Sequence, residues 1–101
     1  MPIVDSTAIP ASHVPRPYER DLKILMSPQT HPEVQGFTYL TATLAPHGGC
    51  TPDHVHEESG ELMIILSGNG KAWLDDKEFD LYPGISFYAP PGISHKTLNP
   101  G

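Results

Sequence analysis

Apolar runs of strand length recur along this chain at intervals of about eight to twelve residues, each closed by glycine, proline or asparagine. Nowhere does the 3.6-residue period of an amphipathic helix appear. A chain punctuated in this way has no segment from which to build a helical core, so the pattern predicts an all-β fold whose short strands close into a sandwich or barrel. The specific expectation is a small antiparallel jelly-roll barrel. With 101 residues the chain makes one domain, residues 1–101, near the lower end of sizes that bury enough surface to fold alone. The 9 glycines and 12 prolines fall between regular apolar strands and so signal many turns and not disorder.

Residues 1–20 hold Pro2, Pro10, Pro15 and Pro17 among polar residues, which excludes a continuous helix or a paired central strand and predicts an extended arm. A first strand is expected over Asp21–Met26, ended by Ser27-Pro28, and His31–Gly36 reads as loop. Phe37–Ala45 is rich in β-formers and is stopped by Pro46-His47-Gly48-Gly49. Farther on, Gly68-Asn69-Gly70 tolerates the positive φ of a primed hairpin turn, so Lys71–Leu74 is expected to pair back on the strand before it. Asp75-Asp76-Lys77 is a turn and Glu78–Leu81 a short strand. Ile85–Ala89 and Ile93–Leu98 complete the set.

Chemistry concentrates between Gly48 and Gly68. His54 and His56 are two apart, and strand side chains alternate faces, so both imidazoles are expected on one side of a sheet with Val55 on the other. Glu57-Glu58-Ser59-Gly60 reads as a turn, after which Glu61 opens the strand Leu62–Leu66 and brings a carboxylate back beside the histidines. Two neutral nitrogens and one anionic oxygen suit a borderline divalent metal better than calcium or magnesium. A second block from Gly84 adds His95 after a tight turn, the natural fourth ligand. Strand parity puts Met63 and Ile65 on the ligand face and Leu62, Ile64 and Leu66 on the other, which then needs cover from the opposite sheet or a second subunit.

The two blocks resemble the cupin family. Gly48 to Gly68 fits G-x5-H-x-H-x4-E-x6-G, and Gly84 to Asn99 fits G-x5-P-x-G-x2-H-x3-N, both without a gap and with a short spacer like that of small microbial single-domain cupins. The resemblance implies a double-stranded β-helix with the metal inside the barrel mouth. It also implies the ligand set His54, His56, Glu61 and His95, one divalent transition metal ion (Fe, Mn, Ni or Zn), and a homodimer. Family members usually run into at least one further strand beyond the position of Pro100-Gly101, so the expectation is either a shortened piece or another segment over that sheet edge. One form of the dimer lays the arm, or the strand Leu22–Met26, along the partner's edge.

The resemblance allows dioxygenase, isomerase, lyase and decarboxylase chemistry on a small oxygenated molecule. An apolar ligand face that shelters reactive oxygen favours the dioxygenase. The rival readings are a non-enzymatic binding or sensing module and a closed structural zinc site. Lys96 adjoins His95 and should face away from it, while Arg16 and Arg20 belong to the arm. No arginine clamp is therefore fixed in the barrel, and a carboxylate or enolate would bind the metal itself.

A net charge of -6 argues against nucleic-acid and anionic-membrane surfaces, and the longest aliphatic run, Leu62–Leu66, is far too short to span a bilayer. Small molecules are the expected partners. The single cysteine, Cys50, excludes an internal disulfide and fits a cytoplasmic location; it reads as inert, and His47 as an exposed loop residue. Asn99 reads as structural. Gly68-x-Gly70-Lys71 lacks the length and helix of a phosphate loop. His13 and His31, beside prolines, are assigned nothing.

Overall fold

The computed structural model describes residues 2–54 and 58–101, with the side chains of all of these except 52–54. Among them, strands run as β1 (Ser12–Val14), β2 (Arg20–Met26), β3 (Tyr39–Leu44), β4 (Gly49–His54), β5 (Glu61–Ile64), β6 (Gly70–Leu74), β7 (Lys77–Leu81), β8 (Ser86–Ala89) and β9 (His95–Asn99). Every pairing is antiparallel. The sheets are ordered β1-β2-β3, β4-β9-β6-β7 and β5-β8. This is the all-β antiparallel architecture of a jelly roll, and the only helical piece among the described residues is a 3-10 turn at Ser6–Ala8. Among the described residues no helix is long and apolar enough to cross a membrane.

The core lies where the four-stranded and two-stranded sheets face each other. Ala72, Leu81 and Phe87 are buried there, with Met63, Ile65, Leu74, Phe79 and Ile85 packed against them. Period-2 alternation explains the selection: Ala72 and Leu74 turn inward while Lys71 and Trp73 turn outward, and Phe79 and Leu81 alternate with Glu78 and Asp80. The Phe79 and Phe87 rings meet edge to face, 5.2 Å between centroids, across the gap between sheets.

One expected pairing gives way to this core. Lys71–Leu74 does not pair back on the strand before it: β6 lies between β7 and β9, and β5 pairs with β8. Met63 and Ile65 on one side and Ala72 and Leu74 on the other cover the same core from opposite faces, so their strands belong to different sheets and cannot be ladder neighbours. Glu61 opens β5, which pairs with β8, whereas β4 pairs with β9, so the carboxylate and His54 are carried by different sheets.

The arm is docked in part. Ser12–Val14 pairs with β2 as an edge strand between Pro10 and Pro15, and Lys23 Nζ donates to the Ser6 carbonyl at 2.9 Å. The 3-10 turn is capped by Asp5, whose carboxylate accepts from the side chain and amide of Thr7; these bonds hold its carboxyl below the usual carboxylate range. β2 thus has both edges occupied within its own chain, by β1 and β3, and is not free to lie along a partner's edge in this arrangement.

Backbones crowd most closely at Gly49. Its amide donates to the Ala45 carbonyl at 2.9 Å, Ala45 donates to Glu19 at 3.2 Å, and a Cβ at position 49 would fall on the Ala45 main chain and within 2.7 Å of the Glu19 carbonyl. Main chain cannot swing aside as a side chain can. Gly49→Ala is expected to cost about 1–3 kcal/mol in urea denaturation; a midpoint equal to that of the wild type would show that the three segments do not converge there.

Candidate metal centre

β9 presents His95 on the inner face of the four-stranded sheet, where it is 2 % exposed. Its ladder neighbours are His54 on β4 and Leu74 on β6. Glu61 opens β5 in the facing sheet, opposite Ala89 of β8, and sends its carboxylate across so that Oε2 stands 2.6 Å from His95 Nε2. The other ring nitrogen, Nδ1, is 3.2 Å from the Ile93 carbonyl oxygen.

In the tautomer that donates Nδ1–H to this carbonyl, Nε2 is left with a lone pair that faces the carboxylate oxygen, and a proton or a metal ion held between the two satisfies both. A backbone carbonyl behind a histidine is also the usual means of orienting a metal-binding imidazole. Glu61 is the partner that solvent reaches, with a side-chain exposure of 32 % against 3 % for His95. The donor pair therefore fits a metal, with one open side and one sealed side.

Of the four expected ligands, Glu61 and His95 come together. His54 is placed by its backbone, directly opposite His95 in the β4–β9 ladder, and His56 lies outside the described residues. The ladder carries an irregularity that the motif spacing does not announce: Thr51 pairs with Thr97 and His54 with His95, so β4 spends one more residue than β9 between the two rungs. Pro52, which has no amide to give to a ladder, is the sequence signal for it.

The remaining residues sort by register. Cys50 pairs with Leu98, on the face opposite Thr51 and Thr97, and is half-buried. His47, at φ 63, sits in the turn before Gly49, whose rung with Asn99 is at the far end of the ladder from His54 and His95. Lys96 turns outward, with Nζ 4.7 Å from the centre of the Trp73 ring. Met63 and Ile65 pack into the core beside the site, as parity predicts, and Leu62, Ile64 and Leu66 turn outward. A groove of about 420 Å³ lies beside the arm, lined by Arg16, Pro17, Glu19, His47, Gly48 and Gly49, away from the Glu61–His95 pair. Its glycine amides are already used by the Asn99 and Ala45 carbonyls, and Arg16 is drawn to Glu19.

A family model described as a cupin domain matches residues 40–101. The uncharacterised protein MJ1618 of Methanocaldococcus jannaschii is 37 % identical over 62 residues, 61 % of this chain and 50 % of that protein. A mannose-1-phosphate guanylyltransferase of Klebsiella pneumoniae is 29 % identical over 86 residues, 85 % of this chain and 17 % of that protein. The chain thus spans half or less of the length of these relatives. Among solved structures, a predicted oxalate decarboxylase from Thermotoga maritima shares the fold with a TM-score of 0.85 at 22 % identity, over 98 % of this chain and 88 % of the other. KdgF from Halomonas sp. does so with a TM-score of 0.82 at 17 % identity, over 98 % and 82 %.

Just before Glu61, Gly60 leaves room for an aromatic ring: a Cβ there would come within 2.6 Å of Cε1 and Cζ of Tyr88 and still closer to its hydroxyl. The strand carrying the carboxylate is thus lidded from outside by Tyr88. Gly60→Ala is expected to lower the thermal midpoint in the wild type and to have little effect in a Tyr88→Ala background. Equal costs in both backgrounds, measured as a double-mutant cycle, would rule out the ring as the cause.

Proposed function

Because the chain belongs to the cupin family, by its match to the cupin-domain model over residues 40–101, we propose that it is a divalent transition-metal cupin, a small metalloenzyme of dioxygenase type acting on a small oxygenated organic molecule. The metal, one of Fe, Mn, Ni or Zn, would be held by His54, His56, Glu61 and His95. The observation that carries the reading is the Glu61–His95 pair at 2.6 Å, with the Ile93 carbonyl behind the imidazole.

Three neutral imidazoles and one carboxylate would leave a bound dication with a net charge near +1, and such an ion polarises carbonyls, stabilises enolates and engages dioxygen. The chain's own groups do the rest. Ile93 holds the imidazole tautomer, Glu61 supplies the one anionic oxygen at the solvent side, and Met63 and Ile65 border the site with apolar surface that excludes water. Lys96 turns outward onto the Trp73 ring, which supports direct coordination of an anionic substrate. Isomerase, lyase or decarboxylase chemistry would use the same features, and the fold shared with a predicted oxalate decarboxylase makes a small carboxylate a natural candidate. A non-enzymatic binding or sensing module is the reading from another class. A cytoplasmic setting suits the single free cysteine.

Protein purified without a nickel column is expected to contain one metal per chain. Glu61→Gln should weaken metal binding about tenfold or more, since even the loss of an outer hydrogen bond costs a metal site that much; His54→Ala should empty it. Occupancy should fall as the pH is lowered through the range in which imidazoles take up protons, which compete with the metal. Oxygen uptake on adding Fe(II) with candidate diketones or thiols separates the enzyme from the binding module. Full metal content in both variants would dismiss the site.

We further propose a homodimer. Leu62, Ile64 and Leu66 are 75, 58 and 75 % exposed, so the opposite sheet does not cover them, and β3 and β5 present edges without a strand partner among the described residues. Light scattering should give twice the 11.0 kDa of one chain, and Leu62→Glu with Leu66→Glu should halve it. A mass of one chain for the wild type at micromolar concentration would remove the dimer.

A further inference from the structure

Resting on the metal-binding reading above, we infer that Tyr88 is a positioning residue for the metal site: its ring, seated on Gly60, holds the start of β5 so that the Glu61 carboxylate stays within reach of His95. Alternation sends Glu61 and Met63 inward and Leu62 and Ile64 outward on β5, and Phe87 and Ala89 inward and Tyr88 outward on β8. Leu62 stands opposite Tyr88 in the ladder, so Gly60, two residues before Leu62, is the diagonal neighbour of the tyrosine, at a separation that an aromatic side chain can span. The ring does span it, since the three atoms nearest to a Cβ at position 60 are Cε1, Cζ and the hydroxyl oxygen of Tyr88. Glu61 thus sits between Gly60, which lies under the ring, and Leu62, which is the tyrosine's rung partner.

This end of β5 gets little from the ladder. The described rungs between β5 and β8 stop at Glu61 and Ala89, and Pro90, next along β8, has no amide to give to a further one. On its other edge β5 has no strand partner among the described residues. Residues 58–60, which lead into the strand, are exposed, and glycine is the residue whose main chain is freest. Gly60 is not among the glycines with positive φ, so its backbone does not demand a glycine, and what the missing side chain provides is the seat for the ring. A cross-strand aromatic ring laid over a glycine restrains its main chain in the extended form. Here the restraint acts one residue from a carboxylate oxygen that stands 2.6 Å from His95 Nε2, a contact that a small shift of the strand end would break. Because Tyr88 lies on the outer side of the sheet, it acts on the site through Gly60 and Glu61.

The test titrates Co(II) into metal-free protein and follows the cobalt absorption bands. Tyr88→Val and Tyr88→Thr keep a β-forming residue at an exposed position, so the strand still forms, but both side chains are too short to cover Gly60. Each is expected to bind Co(II) about tenfold more weakly than the wild type, as when other supports behind a metal ligand are removed. Tyr88→Phe keeps the ring and should bind as the wild type does. Ile64→Ala, on the same outward face but farther from Glu61, controls for general loosening and for a disturbed dimer, and should leave Co(II) affinity unchanged. Wild-type affinity in Tyr88→Val and Tyr88→Thr, an equal loss in Tyr88→Phe, or an equal loss in Ile64→Ala would each overturn the inference. Wild-type protein that takes up no Co(II), or Glu61→Gln that binds it as tightly as the wild type, would instead overturn the coordination reading on which it rests.

Discussion

The contact between Glu61 and His95 joins two sheets that share no ladder among the described residues. Hydrogen bonds hold β9 to β4 and β6, and hold β5 to β8, but only side chains span the interior. Most of that span is apolar and non-directional: Met63, Ile65, Phe79 and Phe87 would tolerate small slips of one sheet over the other. A carboxylate 2.6 Å from an imidazole would not. The polar pair consequently sets the registry between layers whose distance is set by the apolar core. The same contact that aligns the sheets brings together two of the four candidate ligands.

Much of this was legible in the residues, and the parts that were not share one cause. Strand positions followed from apolar runs between turn residues, because alternation and turn chemistry are local. The inward course of Met63 and Ile65 and the outward course of Leu62, Ile64 and Leu66 followed from parity alone. Neighbour choice did not. Gly68-Asn69-Gly70 carries every local mark of a hairpin, yet β5 and β6 face each other across the core, because burying both inner faces outweighs the shortest possible connection. Likewise the contact that Glu61 makes with His95 crosses from one sheet to the other, a proximity that local pattern does not announce. The extra residue in β4 was signalled only by Pro52, and the edge strand at Ser12–Val14 by nothing more than the lone Val14 facing Arg20.

The edges of the sheets are unequally defended. β1 is three residues long between prolines, and β7 carries Lys77, Glu78 and Asp80, all features that discourage strand addition. β3 and β5 carry neither proline nor lysine, and they adjoin the exposed Tyr39, Leu40, Leu62 and Ile64. On these two strands the absence of edge protection and the presence of exposed apolar surface coincide, and the unpaired amides there face the same requirement for a partner, water or strand, as those of the interior.

The group that faces Nδ1 of His95 is a main-chain carbonyl, and this bears on how the site can vary. No side-chain replacement at position 93 removes that oxygen, so the imidazole's tautomer is indifferent to which residue stands there. What it depends on is the path of the turn, closed by Ile93 donating to the Pro90 carbonyl at 3.2 Å and by Gly92 at φ 81. Mutational drift can therefore change the lining beside His95 without disturbing its donor atom, provided the loop keeps its shape. Heritable fragility is moved from the chemistry onto a glycine that never touches it.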